Sequence, residues 1–151
     1  MSGTLIDEIG PGLSGIEQLR ALIASGRRPG IAESLDFNLT DVGDGWAVFE
    51  GTPGDHAYNP IGSVHGGYAA ALLDSACGCA AHSKLTATQS YTTLELKVSY
   101  HRAMTAQTGP VRAEATLISF GRRAAFAEAK LTDATGRVYA SATSTLLVFE
   151  R

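Results

Sequence analysis

Gly66, Gly67 and Asp74 are the residues whose type and spacing could support attack on a carbonyl group. The two glycines follow His65 at a predicted helix start, and Asp74 comes eight residues after Gly66. Free N–H groups and partial positive charge at a helix start can stabilise a carbonyl oxygen that gains negative charge. The glycines are explained equally well by a tight corner or close strand packing. A carboxylate among apolar residues costs free energy unless it is paired or used, so Asp74 is either a reactive or a partnered group.

The spacing of Gly66 and Asp74 imposes a geometric constraint. Eight residues of α-helix separate the two by about 12 Å along the axis and about 80° around it. One chain therefore does not bring both groups to one small pocket. The constraint is removed if the N–H group and the carboxylate come from two different subunits.

Other candidate chemistries have weaker support. His65 could act as a general base or could donate to a backbone carbonyl and hold the turn, and we favour the structural role. The remaining histidines have no metal-ligand spacing with carboxylates, so no metal is expected. Cys77 and Cys79 point in nearly opposite directions on a helix, which predicts buried small residues and no internal disulfide. The sequence has no Gly-x-Ser-x-Gly elbow and therefore gives no support to Ser-His-Asp chemistry.

Hydrophobic periodicity predicts one α+β domain over residues 1–151, with a tail and short helix in 1–33 and a core in 34–150. Residues 1–12 are expected to form a loose tail. Helices are predicted over residues 15–25 and from 64 or 65 to 83, the second with Ser63 as its N-cap. Strands are predicted at residues 34–40, 46–51, 91–100, 111–120, 124–132 and 138–149. In the third strand, alternation places Leu94, Leu96 and Val98 on one face and Thr93 on the other.

Composition and charge narrow the class of protein. The chain has 151 residues, 44% of them apolar, and a net charge of −3, which disfavours nucleic acid or an anionic membrane as a partner. The longest apolar segment is interrupted by Asp74, Ser75 and Gly78, so no membrane span is expected. No secretory signal is evident at the N-terminus, so we expect a cytoplasmic protein. A sheet that alone covers one helix leaves a face or edge for a partner, and an oligomer is expected.

The segment from Asn59 to Ser75 resembles a known family. An asparagine is followed six residues later by His65-Gly66-Gly67, and an acid, Asp74, comes nine residues after the histidine. This combined spacing, and the order of predicted elements over residues 34–149, resemble the hotdog-fold acyl-CoA thioesterases of the phenylacetate-pathway type.

The resemblance implies a hotdog fold, in which an antiparallel sheet wraps around one long central helix. The implied reaction is hydrolysis of an aryl or short- to medium-chain acyl-CoA to the free acid and CoA, without a cofactor. In this family two chains pair side by side into one continuous sheet. The homodimer is thus the implied minimal active unit, and a tetramer formed from two dimers is expected.

The resemblance also implies roles for individual residues. The Gly66 N–H polarises the thioester carbonyl, and Asp74 of the other chain acts as general base or nucleophile. Asn59 helps to place the water or the thioester, and His65 mainly holds the loop. A hydroxyl residue that assists the acid in some relatives corresponds to Thr93, with Thr92 as the alternative position.

Substrate contacts are expected from Gly67, beside which a ligand can approach the backbone, and from Arg102, Arg122 and Arg123. Relatives bind the CoA nucleotide through basic surface residues, although each arginine could equally be an ordinary solvated charge. Three aromatic residues could line an aryl pocket or belong to the core, namely Tyr68, Tyr91 and Phe126. Two other functions stay open, a hydratase or dehydratase acting on acyl thioesters and a non-catalytic acyl-CoA-binding protein.

Overall fold

Six strands form one antiparallel sheet in the computed structural model, which describes residues 3–151. The strands are β1 (Phe37–Gly43), β2 (Trp46–Gly51), β3 (Gln89–Tyr100), β4 (Val111–Phe120), β5 (Ala124–Asp133) and β6 (Val138–Glu150). Their order across the sheet is β1-β2-β4-β5-β6-β3, and all neighbours are antiparallel. The helices are α1 (Leu5–Ile9), α2 (Gly15–Ser25), α3 (Gly30–Leu35) and α4 (Gly66–His82), and a 3₁₀ turn spans Asp55–Ala57.

The sheet curves around α4, which confirms the predicted α+β class and hotdog fold. Leu72, Leu73 and Ala76 of this helix are completely buried. The strands that face it present small side chains, among them the fully buried Ala113 of β4 and Ala127 of β5. Alanines on the concave face let the helix approach the sheet closely, and the larger helical side chains then fill the space. Of the helices described, none is long and apolar enough to span a bilayer.

The N-terminal region is more ordered than its sequence suggested. Residues 5–9 of the predicted loose tail form α1, whose start is stabilised by a reciprocal capping box between Thr4 and Asp7. Residues 1 and 2 of that tail lie outside the described residues. The strand predicted from Ser34 begins only at Phe37, because α3 occupies residues 30–35 and ends at Asp36 in the left-handed conformation, with φ 57°.

The helix α2 is fastened to the C-terminal end of α4. The Gly15 N–H donates to the Leu85 carbonyl over 2.9 Å, and Gln18 Oε1 is joined to His82 Nε2 over 2.7 Å. A Cβ atom added at Gly15 would overlap the His82 carbonyl oxygen. Only glycine therefore fits between these two helices without displacing one of them.

We predict that Gly15→Ala lowers the free energy of unfolding by about 1–3 kcal/mol, the usual cost of overpacking a tight contact. Urea denaturation measures this change. Gly30→Ala is the matched control, because no atom lies within 4 Å of its added Cβ, and it should leave stability unchanged or raise it by about 0.4–1 kcal/mol. Equal stability of the two variants would show that α2 does not depend on this contact.

Candidate active site

The start of α4 is capped by His65 rather than by Ser63, the predicted N-cap. The His65 backbone N–H donates to the Ala57 carbonyl over 2.7 Å, and the ring nitrogen Nδ1 accepts the Gly67 N–H over 2.8 Å. The imidazole therefore accepts a backbone hydrogen bond, whereas the sequence had suggested that it donates one. Because the Gly67 N–H already donates to the His65 ring, the Gly66 N–H is the donor that remains for a ligand at the start of α4.

Gly66 lines a cleft of about 370 Å³ together with Tyr100 and Arg102. Among residues 3–151 the Gly66 N–H has no hydrogen-bond acceptor. The Tyr100 hydroxyl donates to the Gly66 carbonyl over 2.6 Å, and a Cβ added at Gly66 would lie 3.1 Å from the Tyr100 ring. The Gly66 carbonyl is thus held by Tyr100, while the Gly66 N–H, which belongs to the preceding peptide unit, stays available to a ligand.

Asn59 organises the loop that leads into the helix. Its Oδ1 accepts from the N–H groups of Ile61 and Ser63 over 3.0 and 3.2 Å, and its Nδ2 donates to Ser63 Oγ over 3.0 Å. The turn between them needs Gly62, which adopts φ 92°. Within one chain, the Asn59 amide is engaged in holding this loop.

Asp74 is half-buried and accepts a hydrogen bond from Thr93. Thr93 Oγ1 donates to Asp74 Oδ1 over 2.9 Å, and both residues line a cleft of about 470 Å³. Thr92, the alternative position, is exposed. The contact fixes Oδ1, whereas Oδ2 has no hydrogen-bond partner among residues 3–151.

A β-bulge in β3 explains why Thr93 points toward the helix. Thr93 pairs with Leu146 and Glu95 pairs with Thr145, so Leu94 is an extra residue that shifts the register. Odd-numbered residues face α4 before the bulge and even-numbered residues face it afterwards. The prediction that Thr93 and Leu96 lie on opposite faces was therefore wrong.

The two cysteines of α4 are unsuited to nucleophilic attack. Burial, and to a smaller extent the charge of Asp74, raise the pKa of the Cys77 thiol and of the Cys79 thiol to about 12. Both thiols are therefore protonated near neutral pH. They are free, as expected, and no group of three metal-ligating side chains occurs within residues 3–151.

Gly66 and Asp74 open onto different clefts that share no lining residue. The helix holds them apart as its geometry requires, about 12 Å along the axis. A single chain therefore contains two separate parts of a possible site, a backbone donor in one cleft and a carboxylate with its hydroxyl partner in the other.

The predicted arginines lie at two places on the surface. Arg102 lines the Gly66 cleft, whereas Arg122 and Arg123 occupy the β4–β5 turn and line a third cleft together with Gln89. None of the three forms an ion pair within the described part of the chain. All three cations are therefore available to an anionic ligand.

The three candidate aromatic residues have different environments. Tyr68 belongs to the buried core, and burial raises the pKa of its hydroxyl to about 12. Phe126 is 43% exposed on the outer face of the sheet. Tyr91 lines the Asp74 cleft, and burial raises its pKa above the usual range. Only Tyr91 is thus placed beside the carboxylate.

Comparison with known proteins identifies related folds and a family. The profile of the thioesterase superfamily matches residues 61–140, which include Gly66, Asp74 and Thr93. No curated protein gave a significant match.

Solved structures similar to this chain come from several bacteria. A conserved protein from Pseudomonas aeruginosa is 29% identical, with a TM-score of 0.75 over 81% of this chain and 95% of its own. A phenylacetic acid degradation-related protein from Ralstonia eutropha is 26% identical, with a TM-score of 0.76 over 85% and 98%. A variant of the phenylacetic acid degradation protein PaaI from Thermus thermophilus is also 26% identical, with a TM-score of 0.71 over 79% and 98%.

Proposed function

The chain belongs to the thioesterase superfamily, and we propose on this basis that it hydrolyses an acyl-CoA to the free acid and CoA. The observation that carries the proposal is the Asp74 carboxylate, oriented by Thr93 in an open cleft. The complementary group is the free N–H of Gly66 at the start of the same helix. Together they supply a base or nucleophile and a donor for the carbonyl oxygen.

The reaction needs few groups, because a thiolate is a good leaving group with a thiol pKa of about 8.5. Asp74 Oδ2 removes a proton from water, the water oxygen bonds to the carbonyl carbon, and the C–S bond breaks. The Gly66 N–H stabilises the negative charge on the carbonyl oxygen. The thiolate leaves with the C–S electron pair and takes up a proton. Direct attack by Oδ2, followed by hydrolysis of the resulting anhydride, uses the same groups.

A complete site requires a second copy of the chain, and β3 provides the means. Within residues 3–151, β3 lies at the edge of the sheet and pairs only with β6, so its other side carries unpaired backbone groups. In the first half of β3 Thr93 contacts Asp74, and at the end of the strand Tyr100 contacts Gly66. Antiparallel pairing of two β3 strands with Leu96 of one chain opposite Lys97 of the other places Thr93 of one chain opposite Tyr100 of the other. Asp74 of one chain then lies near Gly66 of the other.

The same pairing gathers the three arginines around one composite site. Arg122 and Arg123 share a cleft with Gln89 at the beginning of β3, and Arg102 follows the end of that strand. In the paired arrangement, the end of one β3 approaches the beginning of the other. We propose that these cations bind the phosphates of the CoA nucleotide.

Replacement of the carboxylate tests the chemical step. We predict that Asp74→Asn lowers kcat by at least about 10²-fold, because the variant cannot accept a proton or attack the carbonyl carbon. Thiol release from a panel of acyl-CoAs, detected with a thiol reagent, measures the rate. Asp44→Asn is the control, since Asp44 is an exposed carboxylate that pairs with Lys84.

Near-full activity of Asp74→Asn would refute the assignment of this residue. Loss of conjugation from an enoyl-CoA without thiol release would instead indicate a hydratase. Tight binding of acyl-CoA without any reaction would indicate a binding protein.

The proposed oxyanion donor can be removed without removing the helix start. Proline lacks an N–H and is favoured at the first helical position, which Gly66 occupies. Gly66→Ala retains the N–H and introduces the same contact with Tyr100, so it is the matched control. We predict that Gly66→Pro loses about 10²-fold or more in kcat relative to Gly66→Ala. Equal rates for the two variants would exclude the N–H as the donor.

Mixing the two defective chains tests whether each site spans two subunits. A dimer with one Gly66→Pro chain and one Asp74→Asn chain has one doubly defective site and one intact site. Refolding the chains together in equal amounts should restore about a quarter of wild-type activity, because about half the dimers are mixed and each has one working site. If both groups act within one chain, the mixture stays as inactive as its components.

A further inference from the structure

A largely apolar cavity of about 200 Å³ lies next to the Asp74 cleft. Its walls come from α2, α3, β1, β2, the start of β3 and α4 of a single chain, so it does not depend on a second subunit. The principal apolar side chains in the wall are Leu22, Ile23, Phe37, Leu39 and Phe49. We call this cavity the acyl pocket.

The acyl pocket and the Asp74 cleft have two residues in common. Ser75 and Tyr91 line both of them, and Ser75 directly follows Asp74 in α4. The Tyr91 ring lies against Gly78, where an added Cβ would come within 2.7 Å of the Tyr91 hydroxyl. The absence of a side chain at Gly78 therefore leaves room for the Tyr91 ring, and the small Ser75 beside the carboxylate lines both cavities.

We propose that the acyl pocket binds the apolar acyl group of the thioester whose carbonyl carbon is attacked beside Asp74. This assignment rests on the proposed thioesterase function. An acyl group that passes Ser75 and Tyr91 exchanges water for the side chains of Leu22, Phe37 and Phe49. Burial of each methylene contributes about 0.8 kcal/mol, equivalent to about fourfold in kcat/KM.

The size of the pocket limits the acyl group that fits. The volume of about 200 Å³ is below the range of about 300–1,000 Å³ that is usual for drug-sized ligands. Arg27 and Arg28 also line the pocket, and their side chains pair with Glu8 and Asp36 over 2.9 and 2.8 Å. The pocket therefore suits an aryl or a short- to medium-chain acyl group.

Substitutions at Leu22 test the pocket by changing its size in both directions. For the wild-type enzyme, kcat/KM should rise about fourfold per methylene along a series of linear acyl-CoAs until the pocket is full, and then level off. Leu22→Trp should move this limit to shorter chains and Leu22→Ala to longer ones. Ala24→Trp adds the same ring to an exposed position of the same helix and should leave the limit unchanged.

Binding measurements separate this inference from the proposed function. Titration calorimetry of the same acyl-CoA series with Asp74→Asn measures chain-length dependence without turnover, and each Leu22 substitution is combined with Asp74→Asn for this purpose. Circular dichroism and thermal melting show whether each variant is folded. An identical chain-length limit in folded Leu22→Trp, Leu22→Ala and wild type, with hydrolysis intact, would overturn the acyl pocket alone. Failure of the wild type to release thiol from any acyl-CoA would overturn the proposed function, and with it the assignment of an acyl group to this pocket.

Discussion

The rigidity of α4 is the constraint on which the rest of the structure depends. A helix cannot shorten the distance between Gly66 and Asp74, so a donor at its start and a carboxylate two turns later face different surroundings. The surrounding sheet holds the helix in place through the buried side chains of Leu72 and Leu73 and through small alanines on the facing strands. In the proposed function, a site that uses both groups therefore draws on two chains, each of which supplies half of each site.

The bulge in β3 allows this one strand to contact both Asp74 and Gly66, although the helix holds them far apart. Without the extra residue Leu94, a strand that packs Leu96 and Val98 on the helix would direct Thr93 away from Asp74. With it, Tyr91 and Thr93 face the carboxylate, while Tyr100 faces Gly66 from the far end of the strand. The edge strand β3 thus contacts both Asp74 and Gly66. Its unpaired side is the surface along which a second strand can pair.

Sequence reasoning predicted the architecture well because hydrophobic periodicity and turn residues are local signals. The central helix and the six strands occur where they were expected, with shifts of a few residues at their ends. The bulge could not be read from the sequence, because a single added residue leaves both halves of the alternation intact. The short helix α3 was missed because Asp36 ends it in a left-handed conformation that is uncommon for a residue other than glycine. Likewise, the cap at His65 uses a side chain that is not a usual N-cap.

Chemistry and substrate choice are assigned to different parts of the chain. Gly66, Asp74 and Thr93 lie within residues 61–140, the segment that the family profile matches. Leu22, Phe37 and Phe49 of the acyl pocket precede that segment. The two parts meet at Ser75 and Tyr91, beside the carboxylate. Because α2 is fastened to α4 through Gly15 and Gln18, the pocket wall is held in register with the helix that carries Asp74. A change in the N-terminal helices can therefore alter which acyl group is accepted while the carboxylate, its threonine partner and the backbone donor stay where they are.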